Sequence, residues 1–175
     1  MGVDIGCGTG GNIATLSLDY SCVGIDASKE AIRLASARFP NVRFMQGSVL
    51  EHLNEFSAQA KFFLLMDVLE HVEEPEKLIQ EASRVLKKGG LFFFHTFNRN
   101  FWSWLMVIKG VEWCVPNTPT HMHVYSLFIK PSELQRMSLR HGLHTEEIKG
   151  LNPDLRSQHF WKMIFFGEVF RSFHQ

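Results

Sequence analysis

Residues 3–11 read VDIGCGTGG, a short apolar run with one acidic residue followed by a glycine-rich turn. Gly6, Gly8 and Gly11 fit the G-x-G-x-x-G spacing of dinucleotide-binding turns, although that spacing alone is a weak signal. Glycines let the backbone turn tightly and allow a ligand to lie against bare main chain. The stretch therefore predicts a strand, a ligand-binding turn and a helix that opens at Asn12.

Short apolar runs alternate with amphipathic stretches through the first two-thirds of the chain. We expect strands at residues 3–5, 22–25, 42–45, 62–66 and 91–96. Helices are expected at residues 12–18 and 29–38, and from Pro75 to a cationic, glycine-containing end at residues 87–90. A further helix from Pro131 and strands at 143–150 and 160–166 follow. Continuous apolar strands separated by helices predict an α/β fold with a mostly parallel sheet and helices on both faces.

Length, charge and cysteine content limit the function classes. The 175 residues correspond to a single domain, and the net charge of zero argues against a nucleic-acid partner held by a basic face. No apolar run approaches the roughly 18 residues of a membrane-spanning helix. Cys7, Cys22 and Cys114 are odd in number and widely spaced, which predicts no disulfide scaffold and favours a cytoplasmic protein.

Two kinds of cofactor compete for the glycine turn. In an NAD-linked oxidoreductase the helix N-terminus would hold a pyrophosphate. In a methyltransferase the turn would hold S-adenosylmethionine, which has no phosphate but has a cationic amino-acid end that suits Asp4. Asp26, at the end of the second strand, could accept hydrogen bonds from ribose hydroxyls in either case.

Several motifs resemble those of one family. DIGCGTG (residues 4–10) and GIDAS (24–28) are similar to the first two motifs of class I S-adenosylmethionine-dependent methyltransferases, and the similarity continues through QGS (46–48), MDVLEHV (66–72) and LKKGG (86–90). More narrowly, three motifs resemble those of the ubiquinone-biosynthesis O-methyltransferases: FNRN (97–100), SWLM (103–106) and FIKPSEL (128–134). The last of these motifs, FIKPSEL, is quite specific.

The resemblance implies a Rossmann-like fold, S-adenosylmethionine as cofactor, and methyl transfer to a phenolic or catechol hydroxyl of a polyprenylated ubiquinone precursor. It implies these cofactor-binding residues: Asp4, Gly6, Gly8, Asp26, Ala27, Ser48 and Met66. In this family a segment before the first motif helps to cover the cofactor, and we expect that this segment is missing here. Another small-molecule acceptor, and a cofactor-binding domain without catalysis, remain alternatives.

The motif that follows the fourth strand predicts a metal. A phenol with a pKa near 10 is ionised about one part in a thousand at pH 7, so a base or a cation must supply about 4 kcal/mol. If a helical turn begins at Asp67, then Asp67, Glu70 and His71 share a face and suit Mg²⁺ or another divalent cation. The related family has a comparable pattern with Glu at the Asp67 position.

Several histidines are candidate bases. His71 and His123 are our predicted catalytic residues, since His123 falls where the related family has a histidine. His95 and His121 are further candidates, and His95 stands where that family usually has a small polar residue.

Residues 97–130 form an aromatic insert that we expect to act as a lid. Phe101, Trp102 and Trp104 are flanked by Arg99 and Lys109 in a stretch too short to span a bilayer. Such a segment can lie in a membrane interface, which would suit a substrate with an isoprenoid tail and a protein peripheral to a membrane.

Overall fold

The computed structural model describes residues 1–56, 58–109, 124–150 and 165–172. Seven strands form one sheet: β1 (Gly2–Ile5), β2 (Cys22–Asp26), β3 (Arg43–Gln46), β4 (Ala60–Met66), β5 (Leu86–Phe97), β6 (Leu143–Gly150) and β7 (Phe165–Ser172). Their order is β3-β2-β1-β4-β5-β7-β6. Strands β1 to β5 are parallel, and β7 lies antiparallel between β5 and β6.

The α-helices lie between successive strands of the chain: α1 (Gly11–Leu16), α2 (Lys29–Arg38), α3 (Val49–His52), α4 (Pro75–Val85), and, between β5 and β6, α5 (Phe101–Ser103) and α6 (Pro131–Arg140). Local sequence explains where the longer helices begin. The Ser28 side chain accepts a hydrogen bond from the Ala31 N–H and caps α2, whereas α4 and α6 each begin at a proline.

Helices cover both faces of the sheet because successive strand residues point to opposite sides. On one face, α4 and α6 pack on a core that includes Phe63, Phe92 and Phe170. On the other face, α1 contributes Ile13 to a smaller cluster with Phe62 and other strand residues. The prediction of an α/β, Rossmann-like fold with a mostly parallel sheet and helices on both faces is confirmed.

Two predicted boundaries are wrong. Residues 87–90 do not cap α4, because that helix ends at Val85 and the Lys-Lys-Gly-Gly run lies within β5. The predicted strand 160–166 ends too early, because β7 continues to Ser172 and pairs with β5 through residues 165–171. Residues 160–164 lie outside the described part of the chain.

The cysteines behave as small apolar residues. Cys7 and Cys22 are buried free thiols, and Cys114 lies outside the described ranges. Burial, together with the nearby Asp4 and Asp26 charges, raises the pKa of the Cys7 thiol to about 12. A thiol with that pKa stays protonated near neutral pH, so Cys7 is a packing residue rather than a nucleophile.

Candidate functional site

The strands end together at the edge of the sheet where the predicted site lies. Ile5 of β1 is in register with Ile25 of β2 and with Leu65 of β4. The chain runs outward through β2 and β3 on one side of β1 and then returns to place β4 on the other side. The glycine turn after β1 therefore stands at the point where the strand order reverses, which is where open α/β sheets bind ligands.

The turn itself needs glycine. Gly6, Gly8 and Gly10 have φ angles of 66°, 53° and 80°, a left-handed conformation that side chains disfavour. The N–H groups of Gly6 and Cys7 both donate to the Ile25 carbonyl, at 2.8 and 3.1 Å, which fixes the turn against the end of β2.

Asp26 joins the turn to the second motif. One of its carboxylate oxygens accepts a hydrogen bond from the Gly8 N–H at 2.9 Å, and the other accepts from the Ser28 N–H at 2.8 Å. A carboxylate oxygen has two acceptor positions, so each oxygen keeps one for a ligand hydroxyl. The structure thus brings together Asp26 and Gly8, two of the residues that the sequence analysis expects to bind the cofactor.

Asp4 is buried in β1 directly before the turn. Its side chain is 1% exposed, and its Oδ2 atom has no hydrogen-bond partner within the described part of the protein. Burial and, secondarily, the charge of Asp26 raise its pKa to about 7. A buried carboxyl oxygen without a hydrogen-bond partner is costly, and a cationic ligand group would relieve that cost.

The remaining predicted cofactor residues line the same edge. Ala27 and Ser48 are exposed just after β2 and β3, and half-buried Met66 ends β4. A Cβ atom added to Gly8 would meet nothing within 4 Å, so there is open space above the turn. The open space, the orphaned Asp4 oxygen and the Asp26 acceptors fit S-adenosylmethionine.

The predicted metal site is not formed by the described residues. Asp67 has a φ of 57° and precedes the short 3₁₀ turn Leu69–His71, so it does not share a helical face with Glu70 and His71. Glu70 is 2% exposed and accepts a hydrogen bond from the Thr96 hydroxyl at 2.9 Å, while His71 is exposed. No group of three or more candidate ligands occurs in the described ranges. The predicted ligand geometry is therefore wrong.

Asp67 instead pairs with a histidine from the neighbouring strand. The His95 Nδ1 atom lies 2.6 Å from Asp67 Oδ1, and the Asp67 N–H donates to the His95 carbonyl at 3.1 Å. The sequence offered His95 only as one candidate base among several. The signal that identifies the pair is the strand register, because Met66 of β4 lies opposite His95 of β5.

An apolar cavity of about 710 Å³ runs along the α1 side of β4 and β5. Phe62, Leu64 and Met66 line it from β4, while Leu91 and Phe93 line it from β5. Met66 therefore lies between this cavity and the carboxyl edge of the sheet.

The two ends of the aromatic insert are fastened together. Phe97 and Phe128 stack with ring centroids 5.0 Å apart, and Asn98 forms a parallel bridge with Ile129. Phe101 is 60% exposed and its ring lies 5.8 Å from that of Trp104. His121, His123 and the Trp102 side chain lie outside the described residues. Within the described ranges, no helix has the length and apolar character needed to cross a bilayer.

Known proteins match both the sequence and the fold. A family model described as a methyltransferase domain matches residues 3–94. The ubiquinone biosynthesis O-methyltransferases of Thiobacillus denitrificans and Paraburkholderia phymatum are 34% and 36% identical, over 159 and 165 residues. Each match covers 86% of this chain and 68% of the relative, so the chain spans about two thirds of their length.

A solved S-adenosylmethionine-dependent methyltransferase from Methanosarcina mazei has the same fold. It superimposes with a TM-score of 0.75 over 99% of this chain and 92% of its own, at 23% identity.

Proposed function

Because the chain belongs to the family of S-adenosylmethionine-dependent methyltransferases, we propose that it methylates a phenolic or catechol hydroxyl on a polyprenylated ubiquinone precursor. The observation that carries this proposal is the Gly8–Asp26 hydrogen bond beside the buried Asp4, at the point where the strand order reverses.

Each residue of this edge has a separate task. Asp26 accepts hydrogen bonds from the ribose hydroxyls while the Gly8 and Ser28 N–H groups hold its carboxylate in place. Asp4 faces the cationic amino-acid end, where an opposite charge favours its ionised form. Met66, Ala27 and Ser48 contact the adenosine and sulfonium region. When bound, S-adenosylmethionine supplies the electrophilic methyl group.

The acceptor is inferred from the relatives and from the insert. The curated relatives are named for O-methylation in ubiquinone biosynthesis. The stacked Phe97–Phe128 pair joins the two ends of the aromatic insert, and we propose that the insert acts as a lid that excludes water while the reacting atoms are aligned. An acceptor with a hydrocarbon tail suits this surface.

The test is methyl transfer from S-adenosylmethionine to acceptors presented in detergent micelles, followed by mass spectrometry. We expect a mass gain of one methyl group on the oxygen of a polyprenyl catechol, and a loss of turnover in Asp26→Ala. Asp19→Ala, which alters an exposed carboxylate after α1, is the matched control and keeps its activity. Methylation of untailed acceptors alone would replace the polyprenyl substrate by another small molecule. Absence of transfer to any acceptor would contradict the proposed function.

We also propose that the insert touches a lipid surface. Phe101 is 60% exposed and Leu139, on α6, is 57% exposed, so the two offer a matched comparison of apolar side chains on different surfaces. Flotation with anionic liposomes is expected to fall in Phe101→Ser and to stay unchanged in Leu139→Ser. Equal flotation of both variants and the parent protein would contradict the membrane contact.

A further inference from the structure

We propose that the pair formed by His95 and Asp67 removes the proton from the acceptor hydroxyl. This inference rests on the proposed O-methylation and adds to it the group that generates the nucleophile. A phenol is largely un-ionised at neutral pH, and a positioned base is one way to supply the phenolate.

Backbone and side-chain contacts both hold the pair together. His95 Nδ1 and Asp67 Oδ1 are 2.6 Å apart, and the Asp67 N–H donates to the His95 carbonyl at 3.1 Å. The left-handed φ of 57° at Asp67 turns the chain sharply at the end of β4 and keeps its carboxylate beside β5. A non-glycine residue in this conformation is uncommon, and it persists here because both contacts to His95 hold it.

The carboxylate decides which ring nitrogen is basic. An ionised carboxylate accepts hydrogen bonds and does not donate them, so in the neutral ring the proton resides on Nδ1. The lone pair is then on Nε2, the nitrogen that can take a proton from a hydroxyl group. The side chain of His95 is 13% exposed and that of Asp67 is 54% exposed, so the ring is largely sheltered while the carboxylate stays hydrated.

The pair also stands where an acceptor must approach. His95 is opposite Met66 in the parallel register of β4 and β5, at the carboxyl edge of the sheet. Thr96, the next residue of β5, donates to the buried Glu70 carboxylate and so anchors this end of the strand. The base is therefore mounted on a strand next to the residue that we assign to the sulfonium region.

The proposed step balances without a further reactant. The hydroxyl proton passes to His95 Nε2 as the phenolic oxygen forms its bond to the methyl carbon. The carbon–sulfur bond of the donor breaks, its electron pair stays on sulfur, and the product is S-adenosylhomocysteine. The imidazolium of His95, stabilised by Asp67, then releases its proton to water.

Acceptor acidity separates a base from a structural residue. The assay compares a polyprenyl catechol with the same molecule carrying a ring nitro group, which ionises at pH 8 without help from the protein. We expect His95→Asn and His95→Gln to slow methylation of the ordinary catechol by about 100- to 10,000-fold. We expect less than about a threefold change with the nitro compound, because no proton has to be removed from it.

The same assay distinguishes an incorrect base assignment from an incorrect proposed function. His144→Asn makes the same substitution at an exposed histidine of β6 and is expected to leave both rates unchanged. Suppose that the parent protein methylates both compounds, and that the His95 variants are slowed equally on both or are not slowed on either. The base assignment is then overturned, while the proposed O-methylation stands. If the parent protein methylates neither compound, the proposed function fails and the base assignment fails with it.

Asp67 is a positioning residue, and its test is spectroscopic. Nitrogen NMR of ¹⁵N-histidine-labelled protein reports which ring nitrogen carries the proton. We expect the Nδ1–H form for neutral His95 in the parent protein and loss of that preference in Asp67→Asn. A neutral His95 ring with its proton on Nε2 in the parent protein would overturn the proposal.

Discussion

Replacing Asp4 by Asn is expected to stabilise the protein at alkaline pH. The pKa of Asp4 rises from its ordinary value of 3.8 to about 7, chiefly because the side chain is buried. At about 1.4 kcal/mol per pKa unit, keeping this carboxyl group ionised in the folded protein costs up to about 4 kcal/mol above pH 7. Asn has nearly the same shape and never ionises, so it escapes this cost.

The direction of the effect follows from proton binding. The folded protein holds the Asp4 proton more tightly than the unfolded chain does. The stability that this proton contributes is therefore fully present below pH 3.8 and is lost as the pH rises through about 7. We expect Asp4→Asn to match the parent protein at pH 4 and to exceed it by about 1–4 kcal/mol at pH 8. Urea unfolding at both pH values measures this difference, with Asp19→Asn as the exposed control.

The same substitution, Asp4→Asn, is expected to weaken binding of the cofactor product, S-adenosylhomocysteine. S-adenosylhomocysteine keeps the cationic amino group, so losing the opposing carboxylate should raise the dissociation constant by about 10- to 100-fold at pH 8. Higher stability together with weaker binding identifies Asp4 as a binding residue held at the expense of stability. Parallel stability profiles for Asp4→Asn and the parent protein would refute the reasoning about burial, and unchanged affinity would refute the assigned contact.

Four further substitutions test the turn, the buried Glu70 and the core. Gly6→Ala should lower the free energy of unfolding by more than about 2 kcal/mol in urea titrations, since its φ of 66° is left-handed and the added Cβ would clash with Val68 Cγ2. In Gly8→Ala the added Cβ meets no neighbour, so the free energy of unfolding should fall by only about 1 kcal/mol. Calorimetry should nevertheless show weaker binding of S-adenosylhomocysteine, and equal affinity would contradict our placement of the cofactor. Glu70→Gln should be more stable than the parent protein at pH 8 and equal to it at pH 4, because burial raises the pKa of Glu70; a constant difference across pH would contradict this. Phe92→Ala should lower the free energy of unfolding by about 3–5 kcal/mol, measured by thermal unfolding, since its ring is fully buried.

Local patterns predicted the bounds of elements that begin at a clear sequence signal. Helix α2 and strand β6 have the predicted bounds, because Ser28 caps one and Gly142 precedes the other. The last strand could not be placed in this way, because its bounds depend on pairing with β5 and β6. Long-range pairing of that kind leaves little trace in the strand's own sequence.

The candidate site was predictable where it depends on motifs and not where it depends on register. The glycine turn and Asp26 belong to motifs that fix their neighbours, and the structure joins them directly. The ligand set at Asp67 and Glu70 assumed a regular helical turn, which the left-handed backbone at Asp67 prevents. The contact between Asp67 and His95 spans 28 residues, so helical spacing could not reveal it.

Calorimetry with two competing cofactors tests most directly whether the glycine turn takes a sulfonium donor or a pyrophosphate carrier. We predict that S-adenosylhomocysteine releases heat with one-site stoichiometry, that Asp26→Ala abolishes this signal, and that NADH gives none. Binding of NADH with no response to S-adenosylhomocysteine would contradict the account.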